Sequence, residues 1–334
     1  MNEAMLAWQS GDPGVNALVL SEIAIPEPAV GELLVEVEVA ALNFSDILMV
    51  EDKYQVRPKR PFVPGQELVG VVRKAGPDSR FRIGARIASE VVGGGFAHFA
   101  VVREDMTIEV PPEMPATVAA ALPVVYTTAM IALTECSRIK EGTTVLVLAA
   151  AGGVGLAAVQ IAKALGAFVI AAAGTEEKRR LASQNGADAC VDYRQDGWAE
   201  LVKSLTGDRG ADIVVDPVGG RATEESLRCL AWGGTLLVVG FSSGEIPLIP
   251  ANRLLLKRAS AVGVYWNHDR DAEMVRRVTE RLFEMIRRGV INPVVDDRFA
   301  FSELPAALRH LALGQSSGKL VLKIAHAASQ GEMS

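Results

Sequence analysis

Residues 34–40 alternate, with Val35, Val37 and Val39 on one side and Glu36 and Glu38 on the other. A period of two with charge confined to one face predicts a half-buried strand. Shorter runs at 67–74 and 96–102 predict further strands, punctuated at Gly76-Pro77, Gly84 and Gly93-Gly94-Gly95. The first third therefore reads as antiparallel sheet. From about Pro123 the pattern changes. Apolar runs at 143–149, 168–173, 188–191, 212–216 and 235–239 alternate with helical stretches. Short apolar strands separated by helices predict a parallel sheet covered on both faces. After about Ala259 that rhythm stops. One helix is expected over 271–288, with Met274, Val275, Val278, Leu282, Met285 and Ile286 on one face and Gly289 at its end. Residues 319–324 read as a last strand, and Ser329 onward as a loose tail.

Composition narrows the class. A chain of 334 residues, 49% of them apolar, has material for two cores. The net charge of −6 is modest and the basic residues are interspersed with acids, so neither a nucleic-acid nor a membrane partner is expected. Three separated cysteines, Cys136, Cys190 and Cys229, form no disulfide framework and suit a cytoplasmic protein. The start of the chain lacks the basic and apolar regions of a secretory signal, so none is expected. The uncharged run 145–162 has the length of a membrane span, but glycines at its centre predict a strand, a turn and a helix instead.

That run carries the main chemical signal. Residues 148–155 read L-A-A-A-G-G-V-G, after an expected strand and before an expected helix over 156–165. A dinucleotide site needs small residues here: for a tight turn, for close approach of backbone to pyrophosphate, and for helix–strand packing. Helix N-terminal N–H groups then meet the phosphate charge. Against G-x-G-x-x-G the chain offers Ala150, Gly152 and Gly155, with Gly153 and Val154 between, so the first glycine is missing. The next strand ends in Gly174 and Thr175 without the acid that takes the ribose hydroxyls of NAD. Glu176 and Glu177 follow in the expected first helical turn, where the dipole suits acids, then Lys178 and Arg179; Tyr193 and Arg194 lie past the next strand. A cationic, hydroxyl-bearing pocket without a competing carboxylate favours NADPH over NADH.

Further motifs occur in order along the chain: A-L-N-F-S-D (41–46), P-F-V-P-G-Q-E (61–67), A-A-L-P-V-V-Y-T-T-A (120–129), D-Y-R (192–194), D-P-V-G-G (216–220), V-V-G-F (238–241) and G-K-L-V-L (318–322). With the glycine turn, they resemble the medium-chain dehydrogenase/reductase superfamily in its zinc-free quinone oxidoreductase, zeta-crystallin-like branch. The resemblance implies an α/β chain. A GroES-like β-barrel catalytic domain would comprise 1–122 and 263–334, with a Rossmann doubly wound parallel-sheet domain at 123–262 inserted and an active cleft between them. It also implies a homodimer or tetramer joined through the Rossmann sheet edge. Where the family often has G-D-R, this chain has Gly84-Ala85-Arg86, which leaves charge pairing at that turn open.

A structural zinc of this superfamily takes four clustered cysteines, and this chain has three, dispersed. Related alcohol dehydrogenases place catalytic zinc ligands where this chain has Asn43 and Gln66. His98, His268, His310 and His326 are isolated, so no metal is expected. The resemblance places Asn43 at the nicotinamide, Thr128 (or Thr127) at its carboxamide, Gly240 and Phe241 beside its ribose, and Lys319 at the diphosphate. Asp46, Gln66 and Glu67 are expected to serve capping and packing. Tyr54 resembles the tyrosine found at this spacing after N-x-x-D in related enoyl and quinone reductases, which makes it the candidate proton donor; the alternative is an aromatic wall while water supplies the proton.

Three activities remain open. The first is reduction of a quinone with NADPH. A second is NADPH-dependent reduction of an activated C=C bond in an enone, enoyl thioester or haloacrylate, with Lys53, Arg57, Lys59 and Arg60 available to a thioester's phosphates. The third is a non-enzymatic NADPH binder with a structural or RNA-binding role, against which the acidic charge argues.

Overall fold

The computed structural model describes residues 3–55 and 57–324; His326 and the tail expected from Ser329 lie outside the described residues. The chain divides into two compact units. One contains the chain up to Pro123, Val295–Ser316 and the strand continuing from Leu320; the other contains Val124–Val294 and Ser317–Lys319.

The first unit is built on a seven-stranded sheet. Its order is Val295–Ala300, Lys319–Lys323, Glu32–Ala41, Glu67–Ala75, Arg86–Glu90 and Thr107–Glu109, with Phe99–Arg103 also paired to Glu32–Ala41. The alternation seen in the sequence is realised: Val35, Val37 and Val39 are buried with Leu33, Leu68, Ile87 and Phe96, while Glu36 and Glu38 stay half-buried. Those two acids are not idle. Glu36 pairs with Arg73, and Glu38 accepts from Arg86 Nε at 2.9 Å. Arg86 is thus paired despite Ala85 standing beside it.

The second unit holds a six-stranded parallel sheet. Its order is Ala189–Val191, Phe168–Ala172, Thr144–Leu148, Ala211–Asp216, Leu230–Val238 and Ser260–Gly263. Chain order runs outward in one direction from Thr144–Leu148 and then reverses, which creates a switch point beside that strand. Helices Gly153–Ala164, Glu176–Gln184, Trp198–Leu205, Gly220–Cys229 and Ala251–Lys257 connect the strands. Thr144–Leu148 is buried along its whole length, as a strand covered on both faces must be.

Three sequence expectations are corrected. The βα rhythm does not stop at Ala259, because Ser260–Gly263 adds a sixth strand parallel to Leu230–Val238. Four largely exposed residues at a sheet edge carry no apolar run to betray them. The long helix starts earlier, at His268–Arg287, since the Asn267 side chain accepts from Arg270 N–H at 3.0 Å and caps it. The second unit also runs past 262 to Val294. This helix packs on Thr127–Thr134, and the Gln160 side chain donates to the Asn292 carbonyl at 2.7 Å.

The run 145–162 resolves into strand Thr144–Leu148, a turn and helix Gly153–Ala164. Among the described residues, the helical stretch long and apolar enough to cross a membrane is Ala116–Thr134, and 72% of it is buried within the fold.

Candidate functional site

The glycine turn forms at the carboxyl end of Thr144–Leu148. Ala149 turns the chain with a φ of 48°, and Gly152 caps the following helix, donating to the Ala149 carbonyl at 2.9 Å. Gly153, Val154 and Gly155 are the first helical residues, whose N–H groups lie outside the intrahelical ladder. The glycines serve different ends. A Cβ on Gly155 would overlap the Ala149 carbonyl oxygen and lie 2.8 Å from its carbon, so this residue lets the helix close on the strand. One on Gly152 would meet only the Ala149 oxygen, at 3.4 Å. The missing first glycine is explained as well: the left-handed residue is Ala149, not Ala150.

A second segment comes to this turn. Gly318 N–H donates to the Ala151 carbonyl at 2.8 Å, and Gly318 bridges Gly152 in parallel register. Lys319, the expected diphosphate ligand, is therefore the next residue along; it is 2% exposed, and its N–H donates to the Val294 carbonyl at 2.9 Å.

At the end of the neighbouring strand, Thr175 caps helix Glu176–Gln184 by accepting from Lys178 N–H at 3.2 Å. Burial lowers the pKa of the Lys178 ammonium; Glu177 opposes that shift and Arg194 reinforces it. Tyr193 is half-buried, and burial raises its phenol pKa. Arg194 lies across Gly174, where a Cβ would stand 2.9 Å from its Cδ and Nε. Arg194 thus comes to both Gly174 and Lys178, with Tyr193 its neighbour in the chain. One expectation fails here: the pocket does contain a carboxylate. Asp192 accepts from Arg194 Nε at 3.2 Å and pairs with Arg179 Nη1 at 3.1 Å. It lies past the third strand of the unit rather than at the end of the second, where an NAD-type acid would be sought.

Gly240 and Phe241 follow strand Leu230–Val238 and are laid against the turn after Asp216. Gly240 N–H donates to the Asp216 carbonyl at 3.4 Å, Ser242 to Pro217 at 3.0 Å and Ser243 to Val218 at 2.9 Å. Asp216, 1% exposed, accepts from Val218 N–H at 2.8 Å, from Gly219 N–H at 3.0 Å and from the Thr223 hydroxyl. Burial raises its pKa, and these donors hold the shift back. Gly219, at φ 79°, leaves room for the Phe241 ring. The only mark of this role in the sequence is an acid at a strand end ahead of paired glycines, in D-P-V-G-G. Thr128 is the more exposed of the threonine pair, and its hydroxyl accepts from Trp266 Nε1 at 3.0 Å, a contact with no signal in the sequence.

The first unit holds the remaining candidates. Asn43 caps helix Phe44–Val50; its N–H donates to Asp46 Oδ2 at 2.7 Å and its amide donates to Glu67 Oε2 at 3.1 Å. Asp46 and Glu67 are fully buried. Ser45 donates to Gln66. The capping and packing roles expected for Asp46, Gln66 and Glu67 are the ones seen. Tyr54 is half-buried in the bend after this helix, its carbonyl facing Arg57 Nε at 3.5 Å. The loop's basic residues are mostly engaged. Lys53 pairs with Glu51 at 3.5 Å, Arg57 with Asp52 at 3.9 Å, and Arg60 donates to Ser10 and to the Asp12 and Val50 carbonyls. Among the described residues, no group of three or more His, Cys, Asp or Glu side chains is placed to hold a metal.

Residues 29–112 match the family described as alcohol dehydrogenase GroES-like domain, and residues 153–284 that described as zinc-binding dehydrogenase. The chain belongs to the medium-chain dehydrogenase/reductase superfamily, quinone oxidoreductase branch. It is 36% identical over 311 residues to quinone oxidoreductase-like protein 2 of Rattus norvegicus, covering 92% of this chain and 89% of that one. The quinone oxidoreductase of Thermus thermophilus, solved alone and with NADPH, superposes at a TM-score of 0.82 with 35% identity, over 96% of this chain and all of that one. The Escherichia coli quinone oxidoreductase complexed with NADPH superposes at 0.89 with 28% identity, over 96% and 100% of the two chains.

Proposed function

We propose that this chain is a zinc-independent oxidoreductase that uses NADPH to reduce quinones. The observation that carries the reading is the union of a helix N-terminus behind Gly152 with a cationic pocket over Gly174 on one parallel sheet. The residues present fit NADPH: backbone N–H groups of 153–155 would hold the pyrophosphate, and Lys178, Tyr193 and Arg194 would hold the 2′-phosphate. When bound, the cofactor supplies the hydride. Gly240 and Phe241 would hold the nicotinamide ribose, Thr128 the carboxamide and Lys319 the diphosphate. By resemblance to the family, Asn43 would orient the ring and Tyr54 would donate the proton that the reduced acceptor needs. Zinc independence is supported by the side chains at the ligand positions, since Asn43 and Gln66 are amides already bonded to Glu67 and Ser45. The relatives' names support a quinone as acceptor. A thioester is less well supported, because Arg60 is engaged by the Ser10 hydroxyl and the Asp12 and Val50 carbonyls.

A homodimer is supported by the exposed edge strand Ser260–Gly263 with Leu255, Leu256 and Tyr265 beside it, each at least 71% exposed. Sedimentation at micromolar concentration should give twice 35.5 kDa; a strictly monomeric species would remove this element. The three free thiols suit the cytoplasm. Acceptor choice is tested by NADPH oxidation against a benzoquinone, a naphthoquinone, an enone and a crotonyl thioester. Turnover confined to the enone or the thioester would replace quinone reduction by alkene reduction.

A further inference from the structure

The carboxylate that the sequence did not place in the phosphate pocket calls for a role. Asp192 sits between two guanidinium groups. Its Oδ1 accepts from Arg194 N–H at 3.0 Å and Nε at 3.2 Å, and its Oδ2 accepts from Arg194 Nη2 at 3.3 Å and pairs with Arg179 Nη1 at 3.1 Å. The same Arg179 nitrogen donates to the Ala173 carbonyl at 3.1 Å, which ties the group to the end of strand Phe168–Ala172. Arg194 in turn is held across bare Gly174, its side chain 58% exposed while that of Asp192 is 14% exposed. Two cations this close repel, and a long exposed arginine has rotamer entropy to lose on binding. A carboxylate between them removes both obstacles. It turns one Arg194 edge inward and leaves the rest of a pre-oriented fork facing solvent. The local balance stays positive, with Lys178, Arg179 and Arg194 against Asp192 and Glu177.

We propose that Asp192 is a specificity-determining positioning residue, which selects for a 2′-phosphorylated nucleotide by locking Arg194 over Gly174 before the ligand arrives. The inference rests on the reading that Gly174, Lys178, Tyr193 and Arg194 form the 2′-phosphate pocket. It runs against the simpler expectation that an acid beside a phosphate site weakens phosphate binding. Desolvation pushes the Asp192 carboxyl pKa up, but hydrogen bonds from Arg194 and the Arg194 and Arg179 charges hold it below the usual range, so it stays ionised at neutral pH.

The test is Asp192→Asn, which keeps shape and removes charge, with Asp192→Glu as the conservative rescue and Lys178→Ala as the control for the pocket itself. Dissociation constants for NADPH, NADH and 2′,5′-ADP are measured by calorimetry, alongside KM and kcat. Loss of one charge-assisted pair gives about a tenfold weaker NADPH and 2′,5′-ADP affinity in Asp192→Asn, with a much smaller fall in NADH affinity. Asp192→Glu should recover part of it. Equal or tighter NADPH binding in Asp192→Asn, with Lys178→Ala still weakened, would overturn the positioning role alone. Unchanged NADPH binding in Lys178→Ala would overturn the pocket reading beneath it. A parallel loss of NADH and NADPH binding would reduce Asp192 to a structural residue and also reject the proposal.

Discussion

Gly155 and Gly152 sit three residues apart in the same turn but are glycines for different reasons, and alanine at each should separate stability from cofactor binding. A Cβ on Gly155 meets backbone only: it overlaps the Ala149 oxygen and stands 2.8 Å from the Ala149 carbonyl carbon and 2.9 Å from the Ala150 Cα. No side chain can rotate away, so the helix must withdraw by on the order of 1 Å to reach ordinary carbon contact. Such overpacking costs about 3 kcal/mol, and alanine's better helix propensity returns about 1 kcal/mol. The net loss of about 2 kcal/mol should lower the melting temperature of this unit by roughly 4–8 °C. On Gly152 the added carbon is 3.4 Å from one oxygen, and the backbone φ of −82° suits any residue. Gly152→Ala should cost less than about 1 kcal/mol in stability, as a modest N-cap loss. On the proposed reading it would place a methyl against the pyrophosphate, so NADPH affinity should fall by at least about tenfold. Calorimetric unfolding and NADPH titration of both variants decide it. A Gly152→Ala protein that melts below Gly155→Ala, or that binds NADPH as the parent does, would refute this division of labour.

Other consequences follow from the same geometry. Because burial lowers the Lys178 pKa, its ammonium loses its proton earlier on the alkaline side than an ordinary lysine at about 10.4. NADPH affinity should therefore decline with rising pH below that value, while Lys178→Arg should show a flat profile in the same titration; identical profiles would remove Lys178 from the pocket. Replacing Tyr54 by Phe should lower kcat by about 10²-fold with acceptors whose product must be protonated by the enzyme, measured by NADPH oxidation with an enone. It should leave benzoquinone reduction nearly unchanged, since that product takes its proton from water, and a uniform effect on both would make Tyr54 a wall of the pocket.

Period-two alternation over 34–40 and the apolar runs after Pro123 made both sheet types legible, because burial on one face or two writes directly into residue type. Ser260–Gly263 was illegible for the same reason in reverse: an exposed edge strand is held by backbone pairing to Leu230–Val238, which leaves no hydrophobic mark. The site divides along similar lines. Gly155 and Gly174 were readable because each missing Cβ leaves room for a close neighbour, the Ala149 carbonyl at one and the Arg194 side chain at the other. Asp192 and Trp266 were not, since their partners, Arg179 and Thr128, are brought to them by the packing of separate elements. A lone carboxylate in the sequence carries no sign of the charges that will face it.

The most direct measurement is kcat/KM for NADPH and for NADH with one benzoquinone acceptor, made in the presence of a strong chelator. NADPH should be preferred by at least about tenfold, as loss of one charge-assisted phosphate contact implies, and the chelator should change neither value. Equal use of NADH, or activity abolished by chelation and restored by zinc, would contradict the account.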